Sequence, residues 1–108
     1  TGMSDGIDGY QIGGYTGASY SDKAYKIVLA TDVRTAETDA NLSVGRNAPT
    51  GTSDGSTNAY IGGGASAASS HDLTMDMLVF ATSTTAAETD ANMTYGGYAA
   101  RAASDFNP

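Results

Sequence analysis

The single histidine is the first residue to consider for catalytic chemistry. His71 lies in the run Ser70-His71-Asp72, which contains the three residue types of a serine-hydrolase triad. Triad members converge in space so that the base contacts the nucleophile, and adjacent residues of one loop rarely achieve this. One histidine and no cysteine also argue against a transition-metal centre. We therefore interpret His71 as an exposed loop residue, and we expect no catalytic residues, no metal site and no cofactor.

Acidic residues offer a second chemical possibility. Glu37 with Asp39, and Glu88 with Asp90, form one carboxylate pair in each half of the chain. A glycosidase needs two carboxylates across one bond in a cleft. Because both pairs belong to a repeated sequence, a structural role is favoured. Turn chemistry likewise explains the oxygen-rich segments 5–9 and 53–58 better than calcium binding does.

Tyrosines are the candidates for ligand binding, because aromatic faces suit sugar rings. The candidate ligand-binding residues are Tyr10, Tyr15, Tyr20 and Tyr60. The alternative is that tyrosines pack one structural unit against the next, with their hydroxyl groups at the rim. Across the two halves Tyr20 aligns with His71, and Tyr15 falls near Gly64 or Ala65. This weak recurrence places sugar binding second to a packing role.

Glycine runs interrupt the chain at equivalent places in its two halves. They are not phosphate loops, because no helix with Lys and Ser or Thr follows them. We expect them to mark strand ends where the backbone takes a positive φ. The predicted structural turns are Gly13, Gly14, Gly62, Gly63 and Gly64.

The elements that hold these residues come from a sequence that nearly repeats. Residues 30–43 return as residues 81–94 at an offset of 51, with eight of fourteen positions identical. Residues 1–6 match residues 50–55 at an offset of 49, a register that pairs Gly13-Gly14 with Gly62-Gly63. Such a period indicates an array of one supersecondary unit. Only fourteen of the 108 residues are Leu, Ile, Val or Phe, so units that bury faces against neighbours are favoured over disorder.

Each repeat is predicted to contain about four short antiparallel strands and no helix. Strands are expected at 9–12, 25–30, 38–43, 58–61, 73–81 and 86–94, with turns at 32–35 and 82–85 and a loop at 65–72. The predicted fold class is all-β, with four-stranded antiparallel blades at 1–49 and 50–100. Residues 101–108 would begin a further blade or supply a shared closing strand.

The sequence resembles the kelch-type β-propeller repeat. A hydrophobic strand ending in glycines lies at 59–63, an apolar third strand at 77–80, and Arg46 stands where kelch blades carry a crossover arginine. The second repeat departs from this pattern, since Gly97 aligns with Arg46, and the kelch tryptophan is absent. Residues 60–64, 80–84 and 40–46 look still more like the degenerate kelch-like repeats of tailed-phage fibre and structural proteins.

This resemblance implies a non-enzymatic structural or host-recognition protein at a virion surface or in another extracellular location. The alternative is a carbohydrate-binding propeller lectin that takes a cell-surface glycan. Propellers typically need ~4–8 blades, so two blades require a longer polypeptide, neighbouring virion proteins or copies of the same chain. A trimer is favoured, because three copies would give six blades.

Charge and hydropathy narrow the range of partners. The formal net charge is −7, with twelve acidic and five basic residues, so nucleic acid and anionic membranes would repel the chain. The longest apolar run, 77–81, is far shorter than a membrane span. We expect neither nucleic-acid binding nor membrane insertion.

Overall fold

The computed structural model describes residues 1–68 and 70–94, and regular structure in this part of the chain is almost entirely β. The predicted all-β fold with antiparallel sheets is confirmed. Two three-residue 3-10 helices, Thr38–Ala40 and Thr89–Ala91, are the helical elements within these ranges. The strands are β1 Gly2–Ser4, β2 Asp8–Tyr15, β3 Tyr20–Val28, β4 Val33–Ala36, β5 Thr50–Ser53, β6 Asn58–Gly62, β7 Ala65–Ala67, β8 Ser70–His71, β9 Met75–Val79 and β10 Thr84–Ala87.

The strands form two four-stranded sheets that have the same connectivity. Sheet 1 has the order β1-β2-β3-β4, and sheet 2 has the order β5-β6-β9-β10, with every pair antiparallel. In sheet 2 the small hairpin β7-β8 is inserted between the second and third strands. These sheets fall within the predicted ranges 1–49 and 50–100, whereas the predicted start of a further blade at 101–108 lies outside the described residues.

The outer strand of each sheet begins earlier than the sequence predicts. Val33–Ala36, within the predicted turn and just after it, forms β4, and the predicted strand 38–43 instead begins with a 3-10 helix. The same correction applies in sheet 2, where β10 ends at Ala87 and a 3-10 helix follows. Asp32 and Ser83 take φ values of +57° and +50° at the ends of the turns that precede β4 and β10. These conformations make the turns tight, so that β4 pairs with β3, and β10 with β9, directly after the turn.

Two further expectations need correction. The predicted loop at 65–72 contains the β7-β8 hairpin. Gly62 lies in strand β6 rather than in a turn, and Gly13 and Gly14 lie within strand β2, where the register shifts between Ile12 and Gly14. Gly13, Gly14, Gly63 and Gly64 do take the expected positive φ, between +67° and +135°. Gly13-Gly14 is therefore the structural counterpart of Gly63-Gly64, an offset of 50 rather than 49.

Each sheet has two faces, which we name by equivalent positions. Paired residues of adjacent antiparallel strands lie on the same face, so the register assigns every residue. The front face carries Tyr10, Ile12, Ala24 and Lys26 in sheet 1 and Tyr60, Gly62, Met75 and Met77 in sheet 2. The back face carries Gly9, Gln11, Tyr25 and Ile27 in sheet 1 and Ala59, Ile61, Asp76 and Leu78 in sheet 2.

The core lies between the front face of sheet 1 and the back face of sheet 2. Its buried residues are Tyr10, Ile12, Ala24, Ala40, Leu42, Ala59, Ile61, Leu78 and Phe80. The first strands of the two sheets also contact each other, since Ser53 Oγ donates a hydrogen bond of 3.1 Å to the Ser4 carbonyl. A Cβ on Gly51 would lie 2.8 Å from Met3 Cε, so β1 and β5 approach closely because glycine leaves the space.

No helix in the described ranges is long and apolar enough to cross a membrane.

Candidate functional site

The connection between the two sheets builds the most distinctive site of the molecule. After sheet 1 the chain passes alongside the hairpin end of strands β2 and β3. There the Arg46 amide donates to the Ser21 carbonyl at 3.0 Å, and the Gly14 amide donates to the Arg46 carbonyl at 2.9 Å. Asn47 and Ala65 then exchange two backbone hydrogen bonds of 2.8 and 2.9 Å. This connection therefore joins the edge of sheet 1 to the β7-β8 hairpin of sheet 2.

Arg46 is completely buried, and its guanidinium group reaches into sheet 2. Nη2 forms a hydrogen-bonded ion pair with Asp76, which is also completely buried. Nη1 donates to the Thr74 carbonyl at 2.7 Å and lies 3.4 Å from the Asp72 carboxylate. Among the described residues, Nε has no hydrogen-bond partner. A buried arginine held in this way fixes the position of one sheet relative to the other, because moving it would leave charges unpaired.

The two carboxylates that face Arg46 have further hydrogen-bond donors. Asp76 Oδ1 accepts the Ser43 amide at 3.3 Å. Asp72 Oδ1 accepts both the amide and the hydroxyl of Thr74. Since these carboxylates serve as acceptors within the protein, the cluster is suited to holding the sheets together rather than to acid–base chemistry.

Gly64 is the residue that lets the connection and the hairpin approach each other. Its φ is +88°, and a Cβ there would lie 2.5 Å from the Asn47 carbonyl oxygen and 3.0 Å from Pro49 N. Both the conformation and the space exclude a larger residue. The predicted structural role of this glycine thus has a specific cause in the close contact between backbones.

A cleft is lined in part by the residues that are adjacent in sequence to Arg46 and Asp72. It has a volume of about 430 Å³. Arg46 and Asp72 point into the ion-pair cluster, while their chain neighbours Asn47 and His71 line the cleft. The lining residues are Tyr20, Asn47, Ala65, Ala67, Ala68 and His71.

The structure brings two of the four candidate tyrosines together, and one of them, Tyr20, lines this cleft. The Tyr20 ring lies 5.1 Å from the Tyr15 ring, with the planes tilted by 48°, and Tyr15 is 52% exposed. Tyr10 is instead buried at 3% exposure against Phe80, and Tyr60 lies on the front face of sheet 2. Tyr15 and Tyr20 therefore form one aromatic surface, whereas Tyr10 and Tyr60 lie elsewhere in the molecule.

The chemistry of the cleft is that of a small polar ligand. Its lining contains a tyrosine, an asparagine, a histidine and three alanines, which are residue types that can stack on a sugar ring and form hydrogen bonds with its hydroxyl groups. Sequence reasoning missed Asn47 and the alanines because the hairpin that carries Ala65 and Ala67 was not predicted. The alignment of Tyr20 with His71 was the available signal, since equivalent positions of the two repeats meet here.

No model of a known protein family matches this chain, and no curated protein matches it significantly. The resemblance to kelch repeats therefore stays a prediction.

The glutamates of the two carboxylate pairs have backbone hydrogen bonds, and the Glu37 side chain has further partners. The Glu37 amide donates to Ala24 at 3.0 Å, and the equivalent Glu88 amide donates to Met75 at 2.7 Å. Glu37 Oε1 also accepts the Thr35 hydroxyl at 3.0 Å and lies 3.7 Å from Lys26 Nζ. The glutamates of both pairs thus start the 3-10 segments that follow the outer strands.

The aspartates of the two oxygen-rich turns are also engaged by the backbone. Asp5 Oδ1 accepts the amides of Ile7 and Asp8 at 2.8 and 2.7 Å. Asp54 Oδ1 accepts those of Ser56, Thr57 and Asn58 between 2.6 and 3.1 Å. Hydrogen bonds from the backbone, first that of Thr57, lower the pKa of Asp54 below its ordinary value. These carboxylates shape turns, as the Asp-Gly sequences predict.

Proposed function

We propose that this chain is a non-enzymatic structural and host-recognition element of a phage virion, of the tail-fibre or appendage type. In this proposal sheets 1 and 2 are successive blades of a β-propeller, whose surfaces carry the function. The single observation that supports it most is the stacking of two four-stranded meanders with matching connectivity, front face to back face.

The contact between the first strands supports the same arrangement. Blades of a propeller are four-stranded antiparallel sheets placed around a central channel. β1 and β5 are equivalent strands, and the Ser53 to Ser4 hydrogen bond of 3.1 Å places them side by side. Equivalent strands that meet at one edge are expected when sheets radiate from a common axis.

The virion setting rests on the resemblance of residues 40–46, 60–64 and 80–84 to phage fibre repeats. Within it, three copies of the chain would supply six blades and match the three-fold symmetry of fibres. The proposal is tested by electron microscopy of the purified chain at high concentration. We expect ring-shaped particles with about six blades, within the range of known propellers. Particles no larger than one chain would contradict it.

Carbohydrate binding is the second candidate function, and the cleft is the observation that favours it. Tyr20 lines the cleft with Asn47 and His71, and its ring contacts the exposed ring of Tyr15 at a tilt of 48°. On a glycan array, Tyr20→Ala should abolish any binding through this cleft, because the stacking surface is lost. Tyr60→Ala, which lies outside the cleft, is the matched control, and when the variants are compared as monomers it should bind as the wild type does. Binding lost only in the Tyr20 variant would rank the lectin function first, and an array without hits would remove it.

A further inference from the structure

Each kind of sheet face, front and back, is buried once in this chain and left uncovered once. The buried junction joins a front face, on sheet 1, to a back face, on sheet 2. The back face of sheet 1 and the front face of sheet 2 have no covering sheet among the described residues. The two uncovered faces are therefore one back face and one front face, and a front face already packs against a back face in the core of the molecule.

An aromatic contact in the buried junction has equivalent residues on the two open faces. Inside the junction, the Tyr10 and Phe80 rings lie 5.3 Å apart and are 3% and 5% exposed. The residue equivalent to Tyr10 is Tyr60, which is 39% exposed, and the residue equivalent to Phe80 is Leu29, which is 53% exposed. Tyr60 and Leu29 thus hold the positions of a contact that the chain alone leaves unmade.

A polar contact follows the same rule. The Tyr10 hydroxyl lies 3.0 Å from Ser83 Oγ. Ser83 is equivalent to Asp32, and both residues take a positive φ, +50° and +57°. The carboxylate of Asp32 can accept a hydrogen bond from the hydroxyl of Tyr60 in the position that Ser83 has for Tyr10.

The buried charges indicate which sheet can cover the front face of sheet 2. A second sheet with an aspartate at the position of Asp76 would need a matching arginine, because an unpaired buried carboxylate is strongly unfavourable. The sequence position equivalent to Arg46 is Gly97. Sheet 1 has Tyr25 at the position of Asp76, so the sequence replaces both members of the ion pair together.

We propose that the back face of sheet 1 of one copy docks on the front face of sheet 2 of a second copy, head to tail. The occupant of the front face is thus a second copy of this chain, bound through Tyr25, Ile27 and Leu29 against Tyr60, Met75 and Met77. The proposal rests on the propeller assembly proposed above and names its interface. Because the two surfaces differ, the contact is heterologous and closes into a ring when the rotation permits.

Two charged variants of the full 108-residue chain test this interface. Ile27→Glu disables only the back face of sheet 1, and Met77→Glu disables only the front face of sheet 2. Each variant alone should sediment as a monomer, because every contact in a head-to-tail assembly needs both faces. An equimolar mixture should form a 1:1 complex, because the first variant keeps an intact front face and the second keeps an intact back face.

Rescue in the mixture also shows that both variants are folded. Ala18→Glu, which adds the same charge on an exposed hairpin, is the control and should assemble as the wild type does. If the wild type assembles and both variants still assemble, this interface is wrong while the propeller assembly survives. A mixture that stays monomeric overturns the interface as well. If the folded wild type is monomeric at high concentration, the assembly of copies and this interface both fail.

Discussion

Tyr10 and Tyr60 occupy the same place in two sheets of matching register, yet they have very different surroundings. Tyr10 is 3% exposed and contacts Phe80, whereas Tyr60 is 39% exposed. Strand structure is the same at both positions, so the difference comes from the neighbouring sheet. The burial of a residue in this molecule is decided by which face is covered, and the local sequence does not determine it.

One strand pair on the front faces fills the same space with different residues in the two sheets. Ile12 and Ala24 pair in sheet 1, and their equivalents in sheet 2 are Gly62 and Met75. A Cβ on Gly62 would lie 2.8 Å from Met75 Cε, so the methionine covers the space that an isoleucine side chain fills in sheet 1. The two repeats thus exchange a large and a small residue across one strand pair.

The largest predicted effect concerns the ion pair that distinguishes the buried junction from the open faces. Arg46→Met should destabilise the chain by about 3–5 kcal/mol, because it leaves the Asp76 carboxylate buried without its cation. Adding Asp76→Leu should recover most of that loss, since the unpaired charge is then gone. Urea unfolding measures both, with Lys23→Met on the surface as a control expected within about 0.5 kcal/mol of the wild type. A single variant as stable as the wild type would mean that Arg46 does not hold the sheets together.

The two equivalent tyrosines give the next prediction. Tyr10→Ala should cost about 3–5 kcal/mol of unfolding free energy, as for other buried aromatic side chains. Tyr60→Ala, measured at a concentration where the chain is monomeric, should cost no more than about 1 kcal/mol, because its ring is partly exposed. Tyr60→Ala should nevertheless weaken self-association in sedimentation experiments. Equal losses of stability for the two variants would contradict the distinction between covered and open faces.

Two glycines with the same backbone angle separate conformation from contact. Gly64 and Gly17 both have a φ of +88°, but nothing lies within 4 Å of a Cβ on Gly17. Gly17→Ala should cost about 1–2 kcal/mol, the penalty of the left-handed conformation alone. Gly64→Ala should cost about 1–3 kcal/mol more, because its methyl group would overlap the Asn47 carbonyl. Thermal unfolding followed by circular dichroism compares them, and equal costs would contradict the close approach.

The smallest predicted effect lies at Asp54, in the second of the two equivalent turns. Its folded-state pKa is lowered from an ordinary value of 3.8, first by the Thr57 amide. The unfolded chain therefore binds this proton more tightly, so the stabilisation is full well above pH 3.8 and is lost as the pH falls through the folded-state pKa. Asp54→Asn should be slightly less stable than the wild type at pH 7. The difference should disappear at acidic pH, whereas a difference independent of pH would contradict this role.

The strands were predictable where apolar and β-branched residues are dense. β6 and β9 lie within one or two residues of the expected 58–61 and 73–81. The sequence showed that the offset grows between the repeats but not where, and the structure places the first change, from 49 to 50, between β1 and β2 and their counterparts β5 and β6. The β1-β2 turn spans Asp5 to Asp8, and its counterpart spans Asp54 to Asn58, which is one residue longer. An insertion of one residue in a turn shifts the alignment of all later residues between the two repeats. The types of residue in the turn give no sign of it.

The site was less predictable than the fold. Tyr15 and Tyr20 were candidates from their residue type, but Tyr10 and Tyr60 could not be separated from them without knowing which faces are covered. Arg46 was marked only by the kelch resemblance. Its partners Asp72 and Asp76 lie 26 and 30 residues further along the chain, and a single sequence holds no record of such pairing. The β7-β8 hairpin consists mainly of alanine and serine, which have weak strand preference.

The most direct test of the account uses the absence of cysteine from the chain. A variant with Leu29→Cys and Tyr60→Cys is treated with a short thiol-reactive cross-linker, and the products are separated by denaturing electrophoresis. Head-to-tail stacking predicts covalent multimers from the double variant, because these positions meet only between copies, and monomers from each single variant. Dimers from either single variant, or a double variant that gives only monomers, would contradict the head-to-tail stacking of equivalent faces.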